Sequence, residues 1–410
     1  MSWLSNLFGG GKPDENKFGA IVDKHLREHG AVQGRLVYDQ TEFAIKVVAE
    51  DGAVSRSYYL RNAYEDYCRS APQNRESVLA AYFQAPPEVP DSLHDAITHI
   101  MPRLQVRTFF DSILLQSRLG AVPSQDQGFA YRIIANHFAA ALIYDTERHV
   151  SYVPSQKYAA WGTTFDELFE RALVNLDRVT PEPFQRTQEG LYYSHYQDTH
   201  DATRILLKAR ISECRLNGRP VAVMPNRNRL LLAGENDHTA QKAMLDQISQ
   251  ALKDESRPQP VYPIVFDGTN WQFWQTPPEN PHAEEFKRIV AMALSEEYST
   301  QKQYLDAINE KEQKDTFVAN LMLFQNQHGK VHSVATITEG IASMIPKAEQ
   351  IAFVKPPDSS AIFPWDEAAA LLGQRLSPID GLWPPRFFVD SFPTEAELQT
   401  LRETTAKSPS

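Results

Sequence analysis

Between Phe138 and Leu232 the chain alternates short apolar runs, turn residues and amphipathic stretches on a schedule that leaves few architectures open. Phe138–Tyr144 and His149–Val153 read as a hairpin closed by Asp145-Thr-Glu-Arg148. Thr164 stands three residues before Glu167, the spacing of a capping box, in which hydroxyl and carboxylate each satisfy a free amide at a helix start. Behind it Phe165, Leu168, Phe169, Ala172, Leu176 and Val179 share one helical face, and Asp166, Glu167, Glu170 and Asp177 the other. A further helix is expected over about Asp201–Leu216, then strands Val221–Met224 and Arg229–Ala233 joined through Pro225-Asn-Arg-Asn228, with Asp237 capping a helix to Leu252.

Hairpin followed by helix recurs at 43–68, 138–179, 220–252 and 317–344, without sequence similarity between the pieces. Strands separated by helices on an irregular schedule predict an α+β fold with mixed, largely antiparallel sheets rather than a doubly wound parallel sheet. A length of 410 residues sets two to three domains. The expected divisions are a flexible tip over 1–16, an N-terminal α+β unit over 17–103 and a central α+β unit over 104–275. A charged helical connector over 283–314, either two helices or one broken near Ser299-Thr300, leads to a C-terminal α+β domain over 315–403 and a mobile tail over 404–410. Within the C-terminal domain Phe317–Gln325 reads as one strand, a short helix ends before Pro346, and Thr394 with Glu397 forms a second capping box.

Charge narrows the partners. With 41 Lys and Arg against 52 Asp and Glu the net charge is -11, which repels phosphate backbones and anionic lipid, so no nucleic-acid partner is expected. Two cysteines, Cys68 and Cys214, are too few for a thiolate metal site or a disulfide scaffold, and imply a reducing, cytoplasmic setting. No run approaches the roughly 18 apolar residues of a membrane span. Trp3, Leu4, Leu7 and Phe8 form a short apolar tip that reads as disordered, with docking onto a partner or membrane surface as the alternative.

The central stretch resembles a known group. The hairpin Leu142-Ile-Tyr-Asp145 to Val150-Ser-Tyr-Val153 is followed by Phe165-Asp-Glu-Leu168 and Ala172-Leu-Val-Asn-Leu176. Asp201-Ala-Thr-Arg-Ile-Leu-Leu207, Pro220-Val-Ala-Val-Met-Pro225 and Arg229-Leu-Leu-Leu232 come next. In this order they are similar to the YtpQ-like family of bacterial proteins of unknown function, over about 60–275, with 315–403 as an addition. The resemblance implies no activity, cofactor or catalytic residue.

Three constellations bear on chemistry. His195, Asp198, His200 and Asp201 offer imidazole and carboxylate donors suited to a transition metal, but Asp198 and Asp201 equally suit the cap of the next helix, and the capping and turn reading is preferred. His94-Asp95 repeats the His-Asp pair of His200-Asp201, and reads as surface helix. Arg204, Lys208, Arg210, Arg215, Arg219, Arg227 and Arg229 face only Glu213 between 203 and 230. Arg204, Lys208 and Arg215 are expected on the exposed side of their helix and, with Arg227 and Arg229, read as a solvated face balanced by acids elsewhere, with an anion or partner patch as the alternative. The aromatic groups Trp271, Phe273, Trp274 and Trp383, Phe387, Phe388 read as core. Gly9-Gly-Gly-Lys12 lacks the Ser or Thr and the preceding strand of a phosphate loop, and there is no GxSxG, His-Glu-x-x-His or Cys-x-x-Cys. No catalytic residue and no cofactor are therefore expected. The sequence points to a non-enzymatic interaction or accessory protein with a protein partner; the alternatives are a metal-dependent hydrolase on the 195–201 cluster or an anion-binding module on the basic run.

Overall fold

Helix α1 (Glu15–His29) carries Phe18, Val22 and Leu26 four residues apart, a single apolar stripe that buries completely. It meets an antiparallel sheet of β1 (Arg35–Asp39), β2 (Ala44–Val48) and β3 (Val54–Tyr59) in the order β1-β2-β3. Helices α2 (Arg61–Arg69) and α3 (Arg75–Phe83) complete a core of Phe18, Val22, Leu26, Ile45, Val47, Leu60, Leu79 and Phe83. Gly19 lets the Tyr38 ring lie against the helix: a Cβ there would come within 2.6 Å of that ring.

In this computed structural model the described residues are 12–29, 34–48, 54–83, 88–120, 128–146, 150–254, 259–327, 329–357 and 359–405. Trp3, Leu4, Leu7 and Phe8, and the tail beyond 405, lie outside them, as do parts of the 50–52, 145–148 and 328–329 turns. The chain divides into two compact units, Met1–Pro90 with Tyr144–Ser151, and Asp91–Ile143 with Tyr152–Ser410. The elements above belong to the first.

The second unit begins with α4 (Leu93–Ala96), β4 (Ile100–Val106) and α5 (Arg107–Leu119), which turns Phe110, Asp111 and Leu115 inward. Strands β5 (Tyr131–Ala135), β6 (Phe138–Asp145, of which Tyr144 and Asp145 count with the first unit) and β7 (Val150–Tyr152, of which Val150 and Ser151 do) follow; the sheet runs β4-β6-β5, with β7 also on β6. Helix α6 (Ser155–Ala160) precedes α7 (Phe165–Arg178), where the Thr164–Glu167 capping box forms and Leu168, Phe169, Ala172 and Leu176 bury. Next come β8 (Gln185–Arg186), β9 (Tyr192–Tyr193), α8 (Lys208–Ser212), β10 (Pro220–Asn226), β11 (Arg229–Gly234), α9 (His238–Asp254), β12 (Ile264–Phe266) and β13 (Trp271–Phe273). Six strands pair antiparallel in the order β13-β12-β10-β11-β9-β8, and α9 covers them with Ala240, Met244, Leu245 and Ile248. Asp237 caps α9 through the Ala240 amide at 3.0 Å.

Helix α10 (Ala283–Glu312) is one continuous element of 30 residues, about 45 Å long. No break occurs at Ser299-Thr300: one Thr lowers helix propensity by only tenths of a kcal/mol, and no Gly or Pro interrupts the segment. The helix joins three cores, through Phe286 and Ile289, through Tyr298, and through Leu305 and Ile308.

The C-terminal part holds β14 (Phe317–Val318), β15 (Met322–Gln325), β16 (Val331–Thr338), β17 (Ser343–Pro346), β18 (Gln350–Lys355), β19 (Ser359–Pro364), α11 (Trp365–Leu372), β20 (Ser377–Pro378), β21 (Arg386–Val389) and α12 (Glu395–Thr405). Two four-stranded sheets result, β14-β17-β21-β20 and β15-β16-β18-β19, each with one parallel pair, β14 on β17 and β16 on β18. The α+β class with mostly antiparallel sheets is thus realised. Four local expectations are corrected. Phe317–Gln325 is two strands in different sheets, and the segment before Pro346 is β17, held extended by pairing with β21. The 317–344 piece therefore keeps its hairpin, β15 with β16, but not its helix. The stretch 201–216 is a 3-10 turn over Ala202–Leu206 and the short α8, separated by Leu207 at φ -80°, ψ 72°.

Candidate functional site

The 195–204 segment is organised around Arg204, which has no exposed surface. Its Nη1 and Nη2 donate to Asp198 Oδ1 and Oδ2 at 2.7 and 2.6 Å, its Nε to Thr180 Oγ1 at 2.9 Å and its Nη2 to the Val179 carbonyl at 3.1 Å. The guanidinium lies 3.9 Å from the Tyr196 ring centre, and its Nη1 lies 3.7 Å from Asp201 Oδ1. Burial acts to raise the Asp198 pKa, but the Arg204 hydrogen bonds outweigh it and the carboxyl ends below its ordinary value. Asp201 is fully buried and accepts from Ser194 Oγ and, at 3.1 Å, from the Tyr196 amide. Asp198 accepts the His200 amide at 3.0 Å.

The expected placement of Arg204 on a solvated face is thus corrected: it is the internal counterion of Asp198. Asp198 makes the expected turn contact, to the amide two residues on, but neither aspartate caps a helix end; Asp201 occupies the cap position without a side-chain cap bond. Among the described residues, His195, Asp198, His200 and Asp201 do not bring three donor atoms within 4.8 Å of one another. His195 stacks on Tyr196. The basic run disperses: Lys208 Nζ donates to the Thr269 carbonyl, Arg210 pairs with Asp177 at 2.8 Å and Arg219 with Glu235 at 2.6 Å, and Arg229 donates to Gln247 at 3.0 Å. Arg215 and Arg227 are exposed. His94 and Asp95 are exposed on α4.

A second assembly draws on stretches far apart in the chain. Glu297 of α10 is 5% exposed and accepts from Thr108 Oγ1 at 2.6 Å and from the Tyr262 hydroxyl at 2.5 Å. Burial raises its pKa to about 7. The His137 ring stacks on Tyr262 with centres 3.7 Å apart and meets Phe273 and Trp383 edge-on at 5.6 and 5.1 Å. Burial, then the charge of Arg107, lower the His137 pKa to about 3. Arg107 lies 4.3 Å over Trp383, and Asp111 is buried one turn along α5, its pKa raised to about 6 by loss of solvent. Asp111 Oδ2, His137 Nδ1 and Arg107 Nε are buried and make no hydrogen bond among the described residues. No periodicity in the sequence announces this group, because its members share no local segment. Only a polar residue breaking an apolar stripe, Asp111 beside Phe110 or Glu297 beside Tyr298, was there to be noticed.

Phe273 links this group to a cavity of about 470 Å³ along α10. Trp274, Phe286, Val290 and Leu294 form its apolar wall, and Lys287 pairs with Glu349 at 2.8 Å at its solvent edge, with Glu284 alongside. A smaller hollow near Cys214 holds a thiol whose pKa burial raises to about 11, so it stays protonated at neutral pH. Cys68 and Cys214 are both free. No helix among the described residues is long and apolar enough to cross a membrane. Compared with protein-family models, curated proteins and solved structures, the chain matches none.

Proposed function

We propose that this chain is a non-enzymatic accessory protein that binds a ligand in the cavity along α10. The observation that carries the reading is that the titratable groups gathered beside the cavity are unsuited to proton transfer with a substrate. Glu297 has both oxygens engaged and Asp111 is 6% exposed, so neither reaches a reacting atom. His137, with a pKa near 3, is a weak base at neutral pH, whereas a general base works best with a pKa close to the ambient pH. An apolar hollow with a few polar groups at its edge is the usual form of a binding site. At the edge Glu349 pairs with Lys287 at 2.8 Å and Glu284 with Lys330 at 3.8 Å; the looser, exposed Glu284 pair can be given up to the cationic end of a ligand whose apolar body fills the hollow.

The resemblance of about 60–275 to the YtpQ-like family belongs to this proposal, as does a cytoplasmic setting, supported by two free thiols. A protein bearing the cationic apolar group is the partner the cavity suits. The hydrolase alternative at 195–201 loses support because Arg204 engages the Asp198 carboxylate. The experiment is a thermal-shift screen of the full chain with alkyl- and arylammonium compounds and their carboxylate counterparts. The ammonium set should stabilise, by about 2.7 kcal/mol at 100 times the dissociation constant. Ala291→Phe, which fills the hollow, should abolish the response. Silence from every compound, or a response unchanged by the substitution, removes the reading.

A further inference from the structure

We propose that His25, His29 and Glu76 form a binding site for a divalent transition-metal ion of the zinc class, in the first unit and independent of the cavity reading. His25 and His29 lie one turn apart on α1, with ring centres 4.7 Å apart. Glu76 stands in the first turn of α3, one turn before Leu79, and its Oε1 is 3.2 Å from His25 Nδ1. One donor atom from each of the three residues lies within 4.8 Å of the others, and this is the one such group of three found among the described residues.

The scaffold holds one donor and leaves two adjustable. His25 is 4% exposed, set beside Leu26 at the edge of the α1 stripe, and Leu79 and Phe83 anchor α3 in the same core. His29 and Glu76 are exposed, so each can move by a rotamer change without disturbing that core. Four ligands at zinc bond lengths of about 2.0–2.1 Å stand about 3.3 Å apart. The His25–Glu76 separation already has this value, and contraction of His29 toward the pair completes three corners of a tetrahedron. Water takes the fourth.

Donor chemistry selects the ion. Two imidazoles and one carboxylate suit zinc and its neighbours, while calcium and magnesium require mostly oxygen. Zinc on Nδ1 would replace the imidazole–carboxylate contact and leave the ring proton on Nε2, which is buried and makes no hydrogen bond among the described residues. The segment His25-Leu-Arg-Glu28-His29 also has the His-x-x-Glu-His spacing by which one class of metalloproteases places zinc ligands on a helix. Here Glu28 lies 3.8 Å from Lys24 Nζ, and no hydrolytic step is assigned to it.

The test uses the full chain, stripped with chelator and titrated with zinc by calorimetry and with cobalt by visible absorption. One equivalent of zinc should bind, and cobalt should show the intense absorption of a tetrahedral site. His29→Ala and Glu76→Gln, both at exposed positions that leave the core intact, should each weaken zinc at least about tenfold. His195→Ala should leave binding unchanged. Absence of zinc binding would reduce the contact to a plain imidazole–carboxylate bond and overturn the proposal. So would binding that both variants retain, or binding that His195→Ala removes.

Discussion

Arg204 is a cation without exposed surface, and its burial is tolerable only because the loop around it is shaped to answer every direction of the guanidinium. A bidentate carboxylate, a hydroxyl and a carbonyl meet its N–H groups, and an aromatic face lies against its plane. The same loop holds Gln197 and Thr199 at positive φ, 53° and 69°, which for a β-branched residue costs about 1–3 kcal/mol. Arg103 helps to hold it there by donating to the Thr199 carbonyl at 2.9 Å. Removing the guanidinium strands the buried Asp201 beside an unmatched Asp198. Arg204→Ala should therefore cost about 3–5 kcal/mol of unfolding free energy in urea. Lys208→Ala, at an exposed position four residues on, should stay within about 0.5 kcal/mol. Equal, small effects at the two positions would return Arg204 to a solvated basic face.

The elements differ in how locally they are specified. Helix α7 was readable because its cap, its apolar stripe and its acidic face lie within one continuous segment. The second capping box also forms, with the Thr394 amide donating to Glu397 Oε2 at 2.7 Å and the Glu397 amide to Thr394 Oγ1 at 3.3 Å. Thr164→Ala should cost about 1 kcal/mol, measured as a shift in urea midpoint at constant slope, and Thr164→Ser should recover most of it. Other elements are decided from afar. The helical character of 283–312 was legible, but its continuity across Ser299-Thr300 is reinforced by Arg386, which donates to the Tyr298 carbonyl at 2.9 Å and to Gln301 Oε1 at 2.5 Å from 88 and 85 residues away. Ser343–Pro346 has no strong local preference and becomes a strand because Arg386–Val389 lies beside it. The Asp201–Leu216 stretch has the same origin: Arg204 sits where a helix would expose it, and it turns inward because the nearby Asp198 and the distant Val179 and Thr180 together meet its N–H groups.

For the molecule as a whole, the α+β class was legible from alternation and turns, whereas the Glu297–His137 assembly was not, since contact between 108, 137, 262 and 297 is a property of the finished fold. That assembly sets how stability responds to pH. Glu297 rises from its ordinary 4.5 to about 7 on folding, so the native chain keeps a proton that the unfolded chain releases. Its contribution is full below 4.5 and is lost as pH rises through 7, about 3 kcal/mol in all. Asp111 acts in the same direction between 3.8 and about 6. His137 opposes them: its pKa falls from 6.5 to about 3, so its contribution is present above 6.5 and is lost as pH falls toward 3. His137 offsets only one of the two acids between 4.5 and 6, which leaves a net loss of about 1.4 kcal/mol per pH unit there, and above 6.5 the remaining loss belongs to Glu297. Glu297→Gln removes that titration while keeping an acceptor for Thr108 and a polar partner for Tyr262. Relative to the parent chain it should gain about 2–3 kcal/mol of unfolding free energy between about pH 5 and about pH 8. If the two proteins instead keep a constant difference across that interval, Glu297 is ionised in the native interior, and the argument that it is held out of proton exchange with a ligand fails with it.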